Sequence, residues 1–123
     1  MRKIILPLVI VLIVLTACGI SGSSSNRKER LRQCLQIPKI VVIPDHTITE
    51  VHGWIENKCT EDIEAIKIIV TGSEYPGGPI IGSDEEYIED LPVGDKKYFE
   101  ALISDPNREI KAARVEIDEV YLP

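Results

Sequence analysis

From Leu35 onward, short apolar runs rich in β-branched residues are separated by Pro, Gly, Asn and Asp, and this punctuation restricts the fold more than any other feature. The runs Leu35 to Ile43, Ile48 to Asn57, Ile63 to Thr71, Glu86 to Leu91, Lys97 to Ile103 and Ile110 to Leu122 read as strands, the fourth weakly. Between them there is no room for a crossover helix, so the strands must pair antiparallel; strand centres roughly 10 to 15 residues apart then predict an all-β sandwich. Alternation marks the core: Val51, Gly53 and Ile55 share one face of their strand. Ile66, Ile68 and Val70 do the same on the next, as do Phe99, Ala101 and Ile103, and then Ala113, Val115 and Ile117. Asn26 to Gln36 has the Arg and Leu content of a short helix, but its brevity and charge predict a frayed one.

The N-terminus reads as an export signal. Arg2 and Lys3 precede an apolar run from Ile4 to Leu15, which suits a signal core and falls short of the ~20 residues needed to span a bilayer. Leu15-Thr16-Ala17-Cys18 then resembles the bacterial lipobox. That resemblance implies a diacylglyceryl group on the Cys18 thiol, cleavage after Ala17, and an acylated Cys18 at the start of the mature protein. The expected organisation is a signal peptide over 1–17, a lipidated and flexible basic tether over 18–33, and a sandwich domain over 34–123. The implied address is the extracytoplasmic side of the cell membrane or outer membrane. Gly19 stands where many two-membrane bacteria place the Asp that retains a lipoprotein in the inner membrane, which favours the outer one in such a cell.

Charge narrows the partners. Losing Arg2 and Lys3 takes 14 basic residues to 12 against 20 acidic ones, a net charge near −8. Nearly all of the acid lies beyond residue 33, which argues against nucleic acid as a partner. Arg27, Lys28, Arg30 and Arg32 make the tether basic; beside a lipid anchor they suit anionic headgroups, unless the segment is only a solvated linker.

With Cys18 used by lipid, Cys34 and Cys59 remain as an even pair in an exported chain, which predicts a disulfide. A hairpin turning at Pro44-Asp45-His46-Thr47 makes residues whose numbers add to 93 face each other, as 34 and 59 do. Closing that loop contributes ~3 kcal/mol in the chain-entropy model. A zinc site from Cys34, Cys59, His46 and His52 fails in this register, because His52 opposes Val41 on the face away from the cysteines. Neither histidine is placed to activate a thiol.

Val51-His52-Gly53-Trp54-Ile55-Glu56-Asn57, then Ile66 to Val70, Leu91-Pro92-Val93-Gly94 and Phe99, resembles the FxLYD-type domain of bacterial envelope proteins over roughly residues 48 to 103. The resemblance implies an immunoglobulin-like antiparallel β-sandwich and no assigned catalytic residues. The chain departs from it at Val70-Thr71-Gly72-Ser73-Glu74-Tyr75, where only a displaced Tyr75 stands for the family's aromatic-x-Leu-Tyr-Asp run.

No Ser/His/Asp order, Gly-rich phosphate loop or scaffolded carboxylate pair stands out, so the sequence points away from an enzyme and implies no cofactor and no metal. The acidic stretch Asp84 to Asp90, with Asp95, lacks an Asp-x-Asp-x-Asp-Gly calcium loop and reads as an edge strand whose charges discourage pairing with other chains. Trp54 alternates away from Val51 and Ile55, beside His52 and across from Lys39, with Val41 and Ile37 nearby. Those three, Trp54, His52 and Lys39, form the expected partner surface. The expected function is a lipid-anchored, non-catalytic binding or structural module of the cell envelope, whose expected partners are the membrane, through lipid on Cys18, and an envelope protein. The alternative is a small inhibitor or chaperone-like lipoprotein that presents a stiff loop near His46 to an envelope enzyme; a hydrolase would need a pocket of convergent polar groups.

Overall fold

The computed structural model describes residues 25–123; the signal segment and Cys18 lie outside the described residues. One helix, α1 (Ser25–Cys34), precedes seven strands: β1 (Leu35–Gln36), β2 (Ile40–Asp45), β3 (Ile48–Asn57), β4 (Ile63–Ser73), β5 (Ile80–Leu91), β6 (Lys96–Ser104) and β7 (Ala112–Tyr121). Sheet A places β3 between β6 and the pair β1 and β2, and sheet B has the order β5-β4-β7, all pairs antiparallel. Taking β2, β3 and β6 as strands A, B and E, and β5, β4 and β7 as C′, C and F, gives the immunoglobulin-like arrangement of two packed sheets.

Alternation builds the core between them. Val51, Ile55, Phe99, Ala101 and Ile103 from sheet A meet Ile66, Ile68, Val70, Ile88 and Val120 from sheet B, all buried. Each such side chain taken from water contributes roughly 1.5–3 kcal/mol. Gly53 is required by close approach: a Cβ there would sit 2.6 Å from a ring carbon of Phe99, its cross-strand partner. Asn57 ends β3 as a buried clamp. Its Nδ2 donates to the carbonyls of Glu61 and Leu91, both at 2.9 Å, while its Oδ1 accepts the Cys59 N–H at 2.8 Å. Its backbone pairs with the Leu91-Pro92-Val93-Gly94 turn, accepting from Gly94 N–H and donating to the Asp95 carbonyl, each at 2.9 Å.

The β2–β3 hairpin has the expected register, from Ile40 opposite Gly53 to Asp45 opposite Ile48, and His46 turns the chain in the left-handed region at φ 59°. The expected continuous strand from Leu35 to Ile43 is corrected: it breaks at Ile37-Pro38-Lys39, because Pro38 has no N–H for the ladder. Leu35 therefore pairs with Asn57 and Gln36 with Glu56, one residue out of the hairpin register. The Cys34–Cys59 disulfide is present, with Cα atoms 5.0 Å apart, but it links the end of α1 to the turn after β3 instead of two opposed strand positions.

The helix is also a correction. It is formed and docked, so Ser25–Cys34 belongs to the folded unit and the flexible tether does not extend to residue 33. Leu31 is buried against the core, and Arg32 donates to the Asp118 carbonyl at 2.8 Å. That carbonyl belongs to the extra residue of a bulge where β7 shifts register against β4. Arg27 is ion-paired with Glu61, Arg32 with Glu29, and Lys28 lies 4.0 Å from Glu119. Hydrogen bonding from Arg27 draws the Glu61 pKa down and raises that of Arg27. Three of the four basic residues expected at lipid headgroups thus face the domain's own carboxylates or backbone.

Candidate functional site

The alternation that fills the core also decides what sheet A shows to solvent. On β2 the outward positions are Val41 and Ile43, on β3 Ile48, Glu50, His52 and Trp54, and on β6 Tyr98, Glu100 and Leu102. The register sets them in rows: Trp54 beside Tyr98, then Val41, His52 and Glu100, then Ile43, Glu50 and Leu102. Trp54 is 45% exposed and Leu102 52%. With Val41, Ile43 and Tyr98, also exposed, they give an apolar and aromatic surface interrupted by one polar cluster.

Trp54 meets Tyr98 edge-on with ring centroids 5.4 Å apart, and the Lys96 ammonium lies 5.4 Å from the indole centroid. The cation over Trp54 is therefore Lys96 of β6, not Lys39, which lies in the break before β2 and whose carbonyl sits against Gly53. Of the three expected surface residues, Trp54 and His52 share the outer face of β3, and Lys39 is exposed at its edge.

In the polar cluster, His52 Nε2 is 2.8 Å from Glu50 Oε1 and 3.9 Å from Glu100 Oε2, and Nδ1 is hydrogen-bonded to the Tyr98 hydroxyl. Glu50 lies two residues from His52 on one strand face, and Glu100 is its direct cross-strand partner, so the backbone alone brings all three together. Burial, followed by the charges of Glu100 and Glu50, raises the pKa of the Tyr98 phenol and keeps it protonated as a hydrogen-bonding group. His46, by contrast, sits alone on the hairpin turn beside Asp45, with its side chain 92% exposed.

The acidic stretch is an edge strand, longer than expected, and alternation splits it. Glu85, Tyr87 and Glu89 face outward, whereas Asp84 and Glu86 face the sandwich opening opposite Val70 and Ile68. There Asp84 accepts the Leu102 N–H at 3.0 Å, tying the β5 edge to the β6 edge. Burial, a hydrogen bond with Asp84, and the charges of Asp84 and Glu100 push the Glu86 carboxyl up to about 7. These carboxylates point to opposite faces and do not converge on one calcium ion.

Tyr98, Glu50, Glu100, Ile43 and Leu102 belong to this surface without having been singled out in the sequence. Their signal was available: Tyr98, Glu50, Glu100 and Leu102 hold the opposite parity to Val51 and to Phe99, Ala101 and Ile103 and needed only the β3–β6 pairing to be assembled, while the β2–β3 hairpin sets Ile43 opposite Glu50. No family model, curated protein or solved structure matches this chain.

Proposed function

We propose that this protein is a lipid-anchored β-sandwich of the cell envelope that acts without catalysis, docking an envelope protein through the outer face of sheet A. The observation that carries the reading is the concentration of exposed apolar and aromatic side chains, Val41, Ile43, Trp54, Tyr98 and Leu102, on one sheet face. Trp and Tyr are enriched among residues that dominate binding energy at interfaces, and here Trp54 and Tyr98 stand with Val41, Ile43 and Leu102 around the His52 cluster. The net charge near −8 after signal removal favours a partner with a basic rim. Anchoring rests on Leu15-Thr16-Ala17-Cys18, and the basic α1, folded onto the domain, leaves lipid on Cys18 as the membrane contact of this reading.

The FxLYD-type reading is supported by the work its short motifs do. Gly53 admits Phe99, and Asn57 clamps the Leu91-Pro92-Val93-Gly94 turn, so the two halves of the resemblance meet at one end of the sandwich. The test has two arms in cells. A fatty-acid analogue labels the wild type and not Cys18→Ala, and equal labelling overturns the anchor. Affinity capture from detergent-solubilised membranes retains a partner with the wild type and loses it with Trp54→Ala; capture unchanged by that substitution overturns the docking face.

A further inference from the structure

We propose that Glu50, His52 and Glu100 form a binding site for a divalent transition-metal ion of zinc's class, with an open coordination position facing solvent. One ligand atom from each residue lies within 4.8 Å of the other two. A tetrahedral zinc ion with bonds of about 2.0–2.2 Å holds its ligands roughly 3.3–3.6 Å apart. The His52 separations of 2.8 and 3.9 Å bracket that range, so small carboxylate rotations seat the ion.

The donor set selects the metal class. One imidazole and two carboxylates suit zinc and its transition-metal neighbours, whereas calcium takes six to eight oxygens and magnesium a near-ideal oxygen octahedron. Two carboxylates also neutralise the ion's charge, and the half-buried imidazole lowers the dielectric around it. Three protein ligands leave a fourth position, which points away from the sheet as the side chains do.

Tyr98 supplies what metal-bound histidines normally have, a partner for the second ring nitrogen. With Nε2 directed at the carboxylates, Nδ1 rests on the phenol. A metal on Nε2 displaces the proton there, and the neutral ring then carries its proton on Nδ1. The Tyr98 hydroxyl serves both states, donating to a bare Nδ1 and accepting from a protonated one. His46 lacks such a setting, with only Asp45 beside it. The proposal does not rest on the docking reading, and metal binding without a partner is a distinct result.

The test is titration of the full chain in detergent with zinc against a chromogenic chelator, together with cobalt absorption to report coordination. The wild type takes up one equivalent, with tetrahedral cobalt bands. His52→Ala and Glu100→Gln each weaken this at least ten-fold, Tyr98→Phe weakens it by several-fold, and His46→Ala leaves it unchanged. Melting curves without metal establish that each variant is folded; Glu100, on the exposed side of the cluster, keeps the test open if His52→Ala is not. Zinc uptake equal in the wild type, His52→Ala and Glu100→Gln, or no uptake by the wild type, overturns the site.

Discussion

On sheet B the outward positions hold Lys67, Ile69 and Thr71 on β4, Glu85 and Tyr87 on β5, and Arg114 and Glu116 on β7; on sheet A the corresponding surface holds Val41, Ile43, Trp54, Tyr98 and Leu102. Both faces arise from the same period-two alternation, and sheet B too exposes Tyr87 and Tyr121, but it interleaves its apolar side chains with ion-paired ones. Lys67 lies 3.3 Å from Asp118 and 3.5 Å from Glu85, Arg114 pairs with Glu116 at 2.8 Å, and Ile69 sits between its register partners Glu85 and Glu116. Sheet A carries a knot of charge around His52 and the Lys96 ammonium over Trp54, with apolar side chains on either side of the knot. Exposed apolar patches mark interaction surfaces more often than charge-laced ones, which is the ground for proposing sheet A as the docking face.

The sharpest break of this comparison is between adjacent residues of β3. Ile55→Ala, on the buried side, is expected to cost about 2–5 kcal/mol, read from denaturant melts of the full chain in detergent. Trp54→Ala, one residue away and facing solvent, is expected to cost about 1 kcal/mol, the scale of its edge contact with Tyr98. Equal losses would reassign Trp54 to packing. Next in size, removing the disulfide with paired Cys34→Ala and Cys59→Ala substitutions should cost about 3 kcal/mol while leaving capture through sheet A intact, since the bridge lies at one end of the sandwich.

The open edge between the sheets gives a smaller, pH-dependent effect. Glu86 binds a proton more tightly folded than unfolded, so its contribution is fully present below its ordinary pKa near 4.5 and is lost as pH rises through about 7. Glu86→Gln should remove that slope and raise stability at pH 8 by about 1 kcal/mol after allowing for solvent screening. Asp105 works in the opposite sense. Burial opposes its charge, but N–H groups of Glu109 and Ile110, the Thr49 hydroxyl and Lys111 outweigh this and lower its pKa. Its stabilisation is present above its ordinary value of 3.8 and is lost on further acidification, a fall that Asp105→Asn should flatten in acid melts. Smallest of all, Lys67→Met on the exposed side of sheet B should lower the melting temperature slightly in low salt, with the difference vanishing in high salt.

Parity made β3, β4 and β6 readable, because each has one apolar face uninterrupted by turns, and the same parity placed Trp54 outside. It said less where structure depends on distant partners. Helix α1 has little apolar character of its own and is held by Leu31, the disulfide and ion pairs to residues far along the chain. In β5, the run Gly82-Ser83-Asp84-Glu85-Glu86 is a poor strand former, yet it pairs with β4 along its length because an edge strand tolerates charge. Pro38 was visible, but the one-residue slip it causes was not, because it depends on how β1 is pulled to Asn57 by the helix and disulfide. The Glu50, His52 and Glu100 cluster needed a cross-strand pairing between residues about fifty positions apart, which no local pattern carries.

The difference between the two outer faces is tested most directly by placing a photo-crosslinking phenylalanine analogue in living cells at Leu102 on sheet A and, separately, at Tyr87 on sheet B. Both side chains are exposed, so the two probes have equal access to solvent. A docking role for sheet A predicts a discrete adduct to one envelope protein from position 102 and none from position 87. Equal adducts from both positions, an adduct from position 87 alone, or no adduct from either contradicts it.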